Sequence, residues 1–346
     1  MTPAVKCWTN SPPPREPALM YALKFAPIYK AKVWGGRRLE LLGRDLPYGP
    51  IGESWELVDV AETTASGGGG GAAHSVVSNG PLRGRTLRDL LCVHQESLLG
   101  PARAWRDGGF PLLVKLLDAN EHLSVQVHPS PAYAAQHLNA RLKSEAWYII
   151  AAKPGAVLYV GMKPGVTAAD LRSAIADNTV PELMLVVPAI PGECHYLPSG
   201  TCHALGAGIL VAEVQTPSDT TFRVYDWGRT DRELHVEQAL ACINFSDELP
   251  ADEPVEPVNQ LGDVTPLVNS EYFCWERIVL AAGSYEHPEI VAPAVWMILD
   301  GAGAISCGGV NTEFSLGDTV LIPATQIDAL ACAADVTVLS AALPLA

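Results

Sequence analysis

Four side chains with the chemistry of a metal site, Gln126, His128, Glu145 and His203, stand on or beside segments that read as strands. The run Ser124-Val125-Gln126-Val127-His128 alternates polar and apolar, so Gln126 and His128 share one strand face and offer two ligands at i and i+2. Taken alone, His128 reads more simply as a polar residue on a half-exposed strand. Imidazole nitrogen with carboxylate and amide oxygen suits zinc or another borderline divalent ion, and a catalytic site would keep one position open. Charged groups surround this set. Lys115 sits inside the apolar run 112–117, where an unpaired charge is costly. Glu213 follows Ile209-Leu210-Val211, and Lys143 stands two before Glu145. Arg223 alternates with Thr221 and Tyr225, and Arg229 ends Tyr225-Asp226-Trp227-Gly228-Arg229. Ordinary ion pairs with Asp219 and Asp226 account for the two arginines equally well. Two lysines and two arginines beside a metal pocket, in a chain of net charge −15, favour an anionic ligand, most simply a phosphate.

These residues need a scaffold of short strands. The chain has 346 residues and 48% hydrophobic content, enough for a large core, and no apolar run of membrane-span length. The acidic balance argues against nucleic acid and anionic membrane as partners. Eight scattered cysteines with no CxxC pair, and no leader-like apolar region near the start, predict a reduced, cytoplasmic setting. Residues 1–19 read as a disordered extension, the glycine run 67–71 as a flexible surface loop, and the acidic, proline-rich stretch 246–262 as a linker. Helices are expected over 86–98, 130–142, 167–177 and 232–242, and strands nearly everywhere else.

An internal repeat gives the strands an order. Gly192-Glu193-Cys194-His195-Tyr196-Leu197-Pro198 matches Gly317-Asp318-Thr319-Val320-Leu321-Ile322-Pro323, and the upstream runs at 147–150 and 296–299 both begin with tryptophan. Short strands punctuated by Gly and Pro, present twice, predict a mainly β fold of two cupin or jelly-roll-like barrels with a few helices in and around the first. The expected division is a catalytic barrel over 20–250 and a degenerate second barrel over 263–346. Glu145 stands two before Trp147 where Ala294 stands two before Trp296, and His203 lies five after Pro198 where Asp328 lies five after Pro323. The first copy keeps ligand-type residues that the second lacks.

The segments VKLLDANEHLSVQVHP, KSEAWYI, LPSGTCHALGAGILVAEVQ, SDTTFRVYDWGR and GESWEL resemble the type I phosphomannose isomerases, especially the shorter bacterial form, over about residues 22–240. The resemblance implies one zinc ion per chain, held by Gln126, His128, Glu145 and His203. It places Arg223 in catalysis, Glu213 in proton transfer, Ser124, Lys115 and Lys143 around the substrate or its phosphate, and Arg229 where longer relatives carry a lysine. Leu142 stands where those longer enzymes carry a histidine, so no mechanism using that histidine applies here.

The implied activity is reversible isomerisation of mannose 6-phosphate and fructose 6-phosphate through a cis-enediolate, with Glu213, Lys115 or a metal-bound water as the base. Lys143, Ser124 and Arg229 are the expected phosphate contacts. The expected partners are a small sugar phosphate and at most a second copy in a weak homodimer, with no nucleic acid and no membrane. A cupin oxygenase would hold iron, and a non-catalytic sugar-phosphate-binding cupin would show no turnover, so metal analysis and an assay separate the readings.

Overall fold

A computed structural model describes residues 20–64, 69–137, 140–245, 261–325 and 327–345. The expected extension at 1–19, Gly67 and Gly68 of the glycine run, and 246–260 of the expected linker lie outside the described residues. Among the described residues no helix is long and apolar enough to cross a membrane.

Strands dominate, as the alternating and β-branched runs require. A six-stranded sheet runs in the order Cys194–Leu197, Glu145–Ala152, Ile209–Gln215, Leu113–Ala119, Ile51–Leu57, Ile28–Gly36. A five-stranded sheet, Met184–Pro188, Val157–Met162, His203–Leu205, Val125–Val127, Phe222–Tyr225, faces it. Leu117, Trp147, Ile149 and Val211 of the first sheet pack with Leu158 and Leu205 of the second in one apolar cluster between them. The C-terminal half repeats the plan with a six-stranded and a four-stranded sheet. The expected mainly β, jelly-roll-like halves are found, but as open sandwiches: among the described residues no sheet closes on itself as a barrel.

The sheet carrying Lys115 is covered on both faces, which explains its unbroken apolar runs. Leu116, Ala146, Leu210, Ala212 and Val214 point away from the sandwich and join Trp275, Ile278, Val295 and Met297 of the C-terminal half in one core. Leu23–Lys24 pairs with Thr319–Ile322, so the start of the described chain is stitched into the sheet of the second half.

The sequence repeat is a repeat of register. Trp147 pairs with His195, and Trp296 with Val320, the matching position of the second copy. The amides of Gly192 and Gly317 donate to the carbonyls of Ile149 and Ile298, and both glycines have positive φ, 95° and 85°. A side chain there would be strained in either copy, which is why glycine recurs.

Helix Leu87–Leu99 starts at Thr86 and helix Ala168–Asp177 at Thr167, each with a reciprocal capping box to an aspartate three residues on. The second of these and helix Val236–Cys242 cover the outer face of the five-stranded sheet. The helix expected over 130–142 is confined to Pro131–Gln136. The physical reason lies downstream: Ser144 and Leu142 bond to Thr216, which holds 142–144 against the neighbouring loop and delivers Lys143 to the sandwich interior.

Candidate active site

Two rows of side chains meet between the sheets of the first half. Across the six-stranded sheet, Trp55, Lys115, Glu213 and Trp147 are neighbours in register on four adjacent strands. Across the facing sheet, His203, Gln126 and Arg223 are likewise in register. Strand pairing therefore assembles residues far apart in sequence without any loop having to place them. Between the rows lies a cleft of about 650 Å³, open solvent at its mouth included. Gly52 lets its first wall close up, because a Cβ there would lie 2.6 Å from the Lys32 Cβ and 2.7 Å from the Trp34 ring.

Six of the ten residues singled out from the sequence line this cleft: Lys115, Ser124, Gln126, Lys143, Glu213 and Arg223. His128, Glu145 and His203 are buried beneath it, with His203 edge-on to Trp147, a cleft residue, at 5.2 Å. Arg229 is the exception. It lies outside the lining, with its guanidinium on Asp226 (2.7 Å) and on the carbonyl of His122 (2.7 Å). The sequence reading also missed Lys32, Trp55, Glu53 and Arg232, all of which line the cleft. Glu53 and Trp55 were visible inside GESWEL as a motif, but nothing in that segment said which side chains turn inward.

The charges alternate along the cleft. Lys32 meets Glu53 at 3.1 Å, Lys115 meets Glu213 at 3.1 Å, and Lys143 meets Glu145 at 2.5 Å. The longer contacts Lys115–Glu53 and Lys143–Glu213, both 4.0 Å, join these pairs into one chain. Burial alone would strip the proton from Lys115, but Glu213, Glu53 and Glu145 more than offset it and raise its pKa above the ordinary lysine value. Lys115 thus holds its proton at neutral pH, which removes it as a general base. Burial likewise works to raise Glu53, while Lys32 and Lys115 bring it down to about 2.

A pH dependence follows from Glu53. Its folded pKa lies below its unfolded value, so its contribution is present above about pH 4.5 and is lost as the pH falls toward 2. Glu53→Gln should be less stable than the parent at pH 7, because Lys32 and Lys115 lose their counter-charge. The gap should close over that acid window in urea unfolding series, and a gap constant from pH 7 to pH 3 would refute the assignment.

The buried triad has the donor set of a cation site. His128 Nδ1 faces the carbonyl of Thr220 at 3.0 Å, and His203 Nδ1 faces that of Thr201 at 2.8 Å. A carbonyl only accepts, so each Nδ1 carries the hydrogen and each Nε2 of a neutral ring presents a lone pair. Burial, with the charge of Lys143, lowers His128 to about 3 and keeps it neutral. Yet both Nε2 atoms point at the same carboxylate oxygen, Glu145 Oε1, from 3.2 and 3.0 Å. Burial would raise the pKa of Glu145, but Lys143 and the His128 contact hold it well below the usual carboxylate range, so it is ionised. With both rings in the neutral form, three acceptors converge on one point. All three ligand atoms lie within 4.8 Å of one another. Gln126 stands beside them, its amide nitrogen 3.5 Å from His203 Nε2 and its oxygen accepting from Ser124 Oγ at 3.2 Å. With a cation at the centre, turning that amide over would bring its oxygen to the ion and let its nitrogen donate to Ser124 Oγ.

Arg223 faces this centre with little to neutralise it. Its Nη1 donates to the carbonyl of Glu233 at 2.9 Å, its Nε is buried without a partner, and among the described residues no carboxylate lies in ion-pair range. Burial, and then the like charge of Arg232, lower its pKa.

Residues 22–199 match the model of the type I phosphomannose isomerase catalytic domain. The chain is 36% identical over 305 residues to a mannose-6-phosphate isomerase of Streptococcus mutans, covering 85% of this chain and 90% of that protein. It is 35% identical over 318 residues to mannose-6-phosphate isomerase ManA of Bacillus subtilis, covering 87% and 92%. The crystal structure of a mannose 6-phosphate isomerase from Bacillus subtilis superposes with a TM-score of 0.80 at 28% identity, covering 93% of this chain and 99% of that one.

Proposed function

The chain belongs to the type I phosphomannose isomerases, and on that premise we propose that it interconverts mannose 6-phosphate and fructose 6-phosphate at a zinc site formed by Gln126, His128, Glu145 and His203. The observation that carries this reading is the convergence of two imidazole lone pairs on the ionised Glu145 at the base of a cationic cleft. Two neutral nitrogens, a carboxylate and an amide oxygen fit zinc, and the cleft side of the centre offers the open position a substrate needs. When bound, the ion supplies a Lewis acid for the sugar's carbonyl and hydroxyl oxygens.

The chain's own residues do the rest. Aldose–ketose exchange removes a proton from C2 and returns one to C1 through a cis-enediolate. Glu213, which lines the cleft between Lys115 and Trp147, is the carboxylate we assign to move that proton, with a metal-bound water as the alternative. Lys115, 3.1 Å from Glu213 and 5.2 Å from the Trp55 ring centre, fixes the orientation of that carboxylate together with Trp147 Nε1, which donates to it at 2.9 Å. Arg223 provides fixed positive charge where the enediolate develops. Ser124 and Lys143 hold Gln126 and Glu145 in place. Seven described cysteines are free thiols, in keeping with a reduced cytoplasmic setting, and we expect a monomer or a weak homodimer with 20–250 as the catalytic unit.

A coupled assay tests the proposal. Mannose 6-phosphate turnover should vanish on treatment with a chelator and return with zinc. Metal-replete, folded protein that leaves mannose 6-phosphate unchanged would refute it.

A further inference from the structure

The side chains that the sequence offers for the substrate's phosphate, Ser124, Lys143 and Arg229, already have partners in the protein. Each cleft lysine is taken: Lys32 by Glu53, Lys115 by Glu213, Lys143 by Glu145. Arg229, outside the lining, spends its guanidinium on Asp226 and the His122 carbonyl. What remains at the cleft is Arg223 and Arg232. Arg223 pairs in register with Gln126 and so belongs to the reacting end. Arg232 comes from the turn beyond strand Phe222–Tyr225, past the reversal at Trp227, whose φ is +55°.

Resting on the isomerase reading above, we propose that Arg232 is the guanidinium that recognises the phosphate, with Asp226 as its positioning residue and Arg229 as the strut on the far side of Asp226. Asp226 is buried, and both its oxygens are engaged by Arg232: Nε on Oδ2 at 2.8 Å, and Nη2 on Oδ1. This fork fixes the plane of the guanidinium and leaves Nη1 with two N–H groups and no partner among the described residues. A rigid, half-used guanidinium at a cleft rim is well suited to an oxyanion, because its ordering cost is already met by the protein. The charge balance points the same way. The side chains lining the cleft carry five cations, Lys32, Lys115, Lys143, Arg223 and Arg232, against three carboxylates, Glu53, Glu213 and Asp219. A surplus of positive charge faces a cleft in a chain of net charge −15. Arg232 also depresses the pKa of Arg223 by its like charge, a repulsion that an arriving phosphate would relieve.

The test uses the full-length zinc enzyme and its Arg232→Gln, Arg232→Lys and Asp226→Asn variants, each checked for zinc content and melting temperature. Three quantities are read: KM and kcat for mannose 6-phosphate, competitive inhibition by inorganic phosphate, and calorimetric titration with inorganic phosphate. Arg232→Gln should raise KM and weaken phosphate binding by about 10- to 100-fold, as expected for losing one charge-assisted contact, with kcat within roughly threefold. Arg232→Lys should recover part of the phosphate affinity, since it keeps charge but not the fork. Asp226→Asn should raise KM by a smaller factor and leave kcat alone, a split that general loosening of the fold would not give. Unchanged phosphate affinity in Arg232→Gln, or a loss confined to kcat, overturns the proposal. If the parent enzyme fails to turn over mannose 6-phosphate yet binds phosphate through Arg232, the isomerase reading falls and the anion site stands.

Discussion

Replacing His203 by alanine should abolish mannose 6-phosphate turnover and lower the zinc content from one ion per chain to a trace. The loss in kcat should be at least ~10³-fold, the equivalent of the several kcal/mol that a metal contributes as Lewis acid. The geometry makes this residue decisive. His203 is in register with Gln126, and its Nε2 lies 3.0 Å from Glu145 Oε1. Removing it leaves one imidazole and two oxygens, a set with far weaker hold on a borderline ion. The lost ring packs edge-on to Trp147 and gives up its contacts to the Thr201 carbonyl, the Gln126 amide and Glu145, so the melting temperature of the variant is read beside its activity. Chelation of the parent enzyme should reproduce the loss, and added zinc should restore the parent but not the variant. A variant that keeps full zinc content and turnover would remove His203 from the ligand set.

Much of this site could be read from the sequence because strand alternation and an internal repeat speak the same language as the structure. The alternation at 124–128 put Gln126 and His128 on one strand face, and comparing the copies separated Glu145 from Ala294 and His203 from Asp328. The register Trp147–His195 and Trp296–Val320 shows why the copies can be compared position by position: they occupy equivalent places in equivalent sheets. The open sandwiches were not legible, because closure depends on which edge strands pair, and periodicity carries no information about that. Arg229 and Arg232 mark another limit. Both follow Asp226, which is buried, and the choice between them is made by a non-glycine residue in the left-handed region, Trp227, held there by its indole bond to the carbonyl of Leu123 at 2.6 Å. Spacing along the chain cannot predict such a reversal. The helix expected to reach 142 failed for a similar reason, since Thr216, far away in sequence, captures the backbone at 142–144.

Arg223→Met separates stability from catalysis most sharply. Arg223 is buried, its Nε has no partner, no carboxylate among the described residues lies in ion-pair range, and burial with the like charges of Arg232 and Arg229 outweighs the more distant Asp226 and Asp231. A charge held this way costs the folded state free energy, and an apolar side chain of similar length removes that cost. The one hydrogen bond given up, to the Glu233 carbonyl, involves an exposed residue, so water can replace the guanidinium. Arg223→Met should therefore melt no lower than the parent, and above it if relief of the like charges dominates. Its kcat should nonetheless fall by ~10²–10³, the range for deleting one preorganised group that meets developing negative charge. Zinc content should stay at one per chain, because Arg223 neighbours Gln126 in the sheet without holding any ligand. The combination of preserved metal, preserved or raised melting temperature and collapsed kcat is what a residue kept for transition-state charge produces. A variant that loses its melting temperature together with its activity would instead make Arg223 a structural residue and return the enediolate to some other source of positive charge.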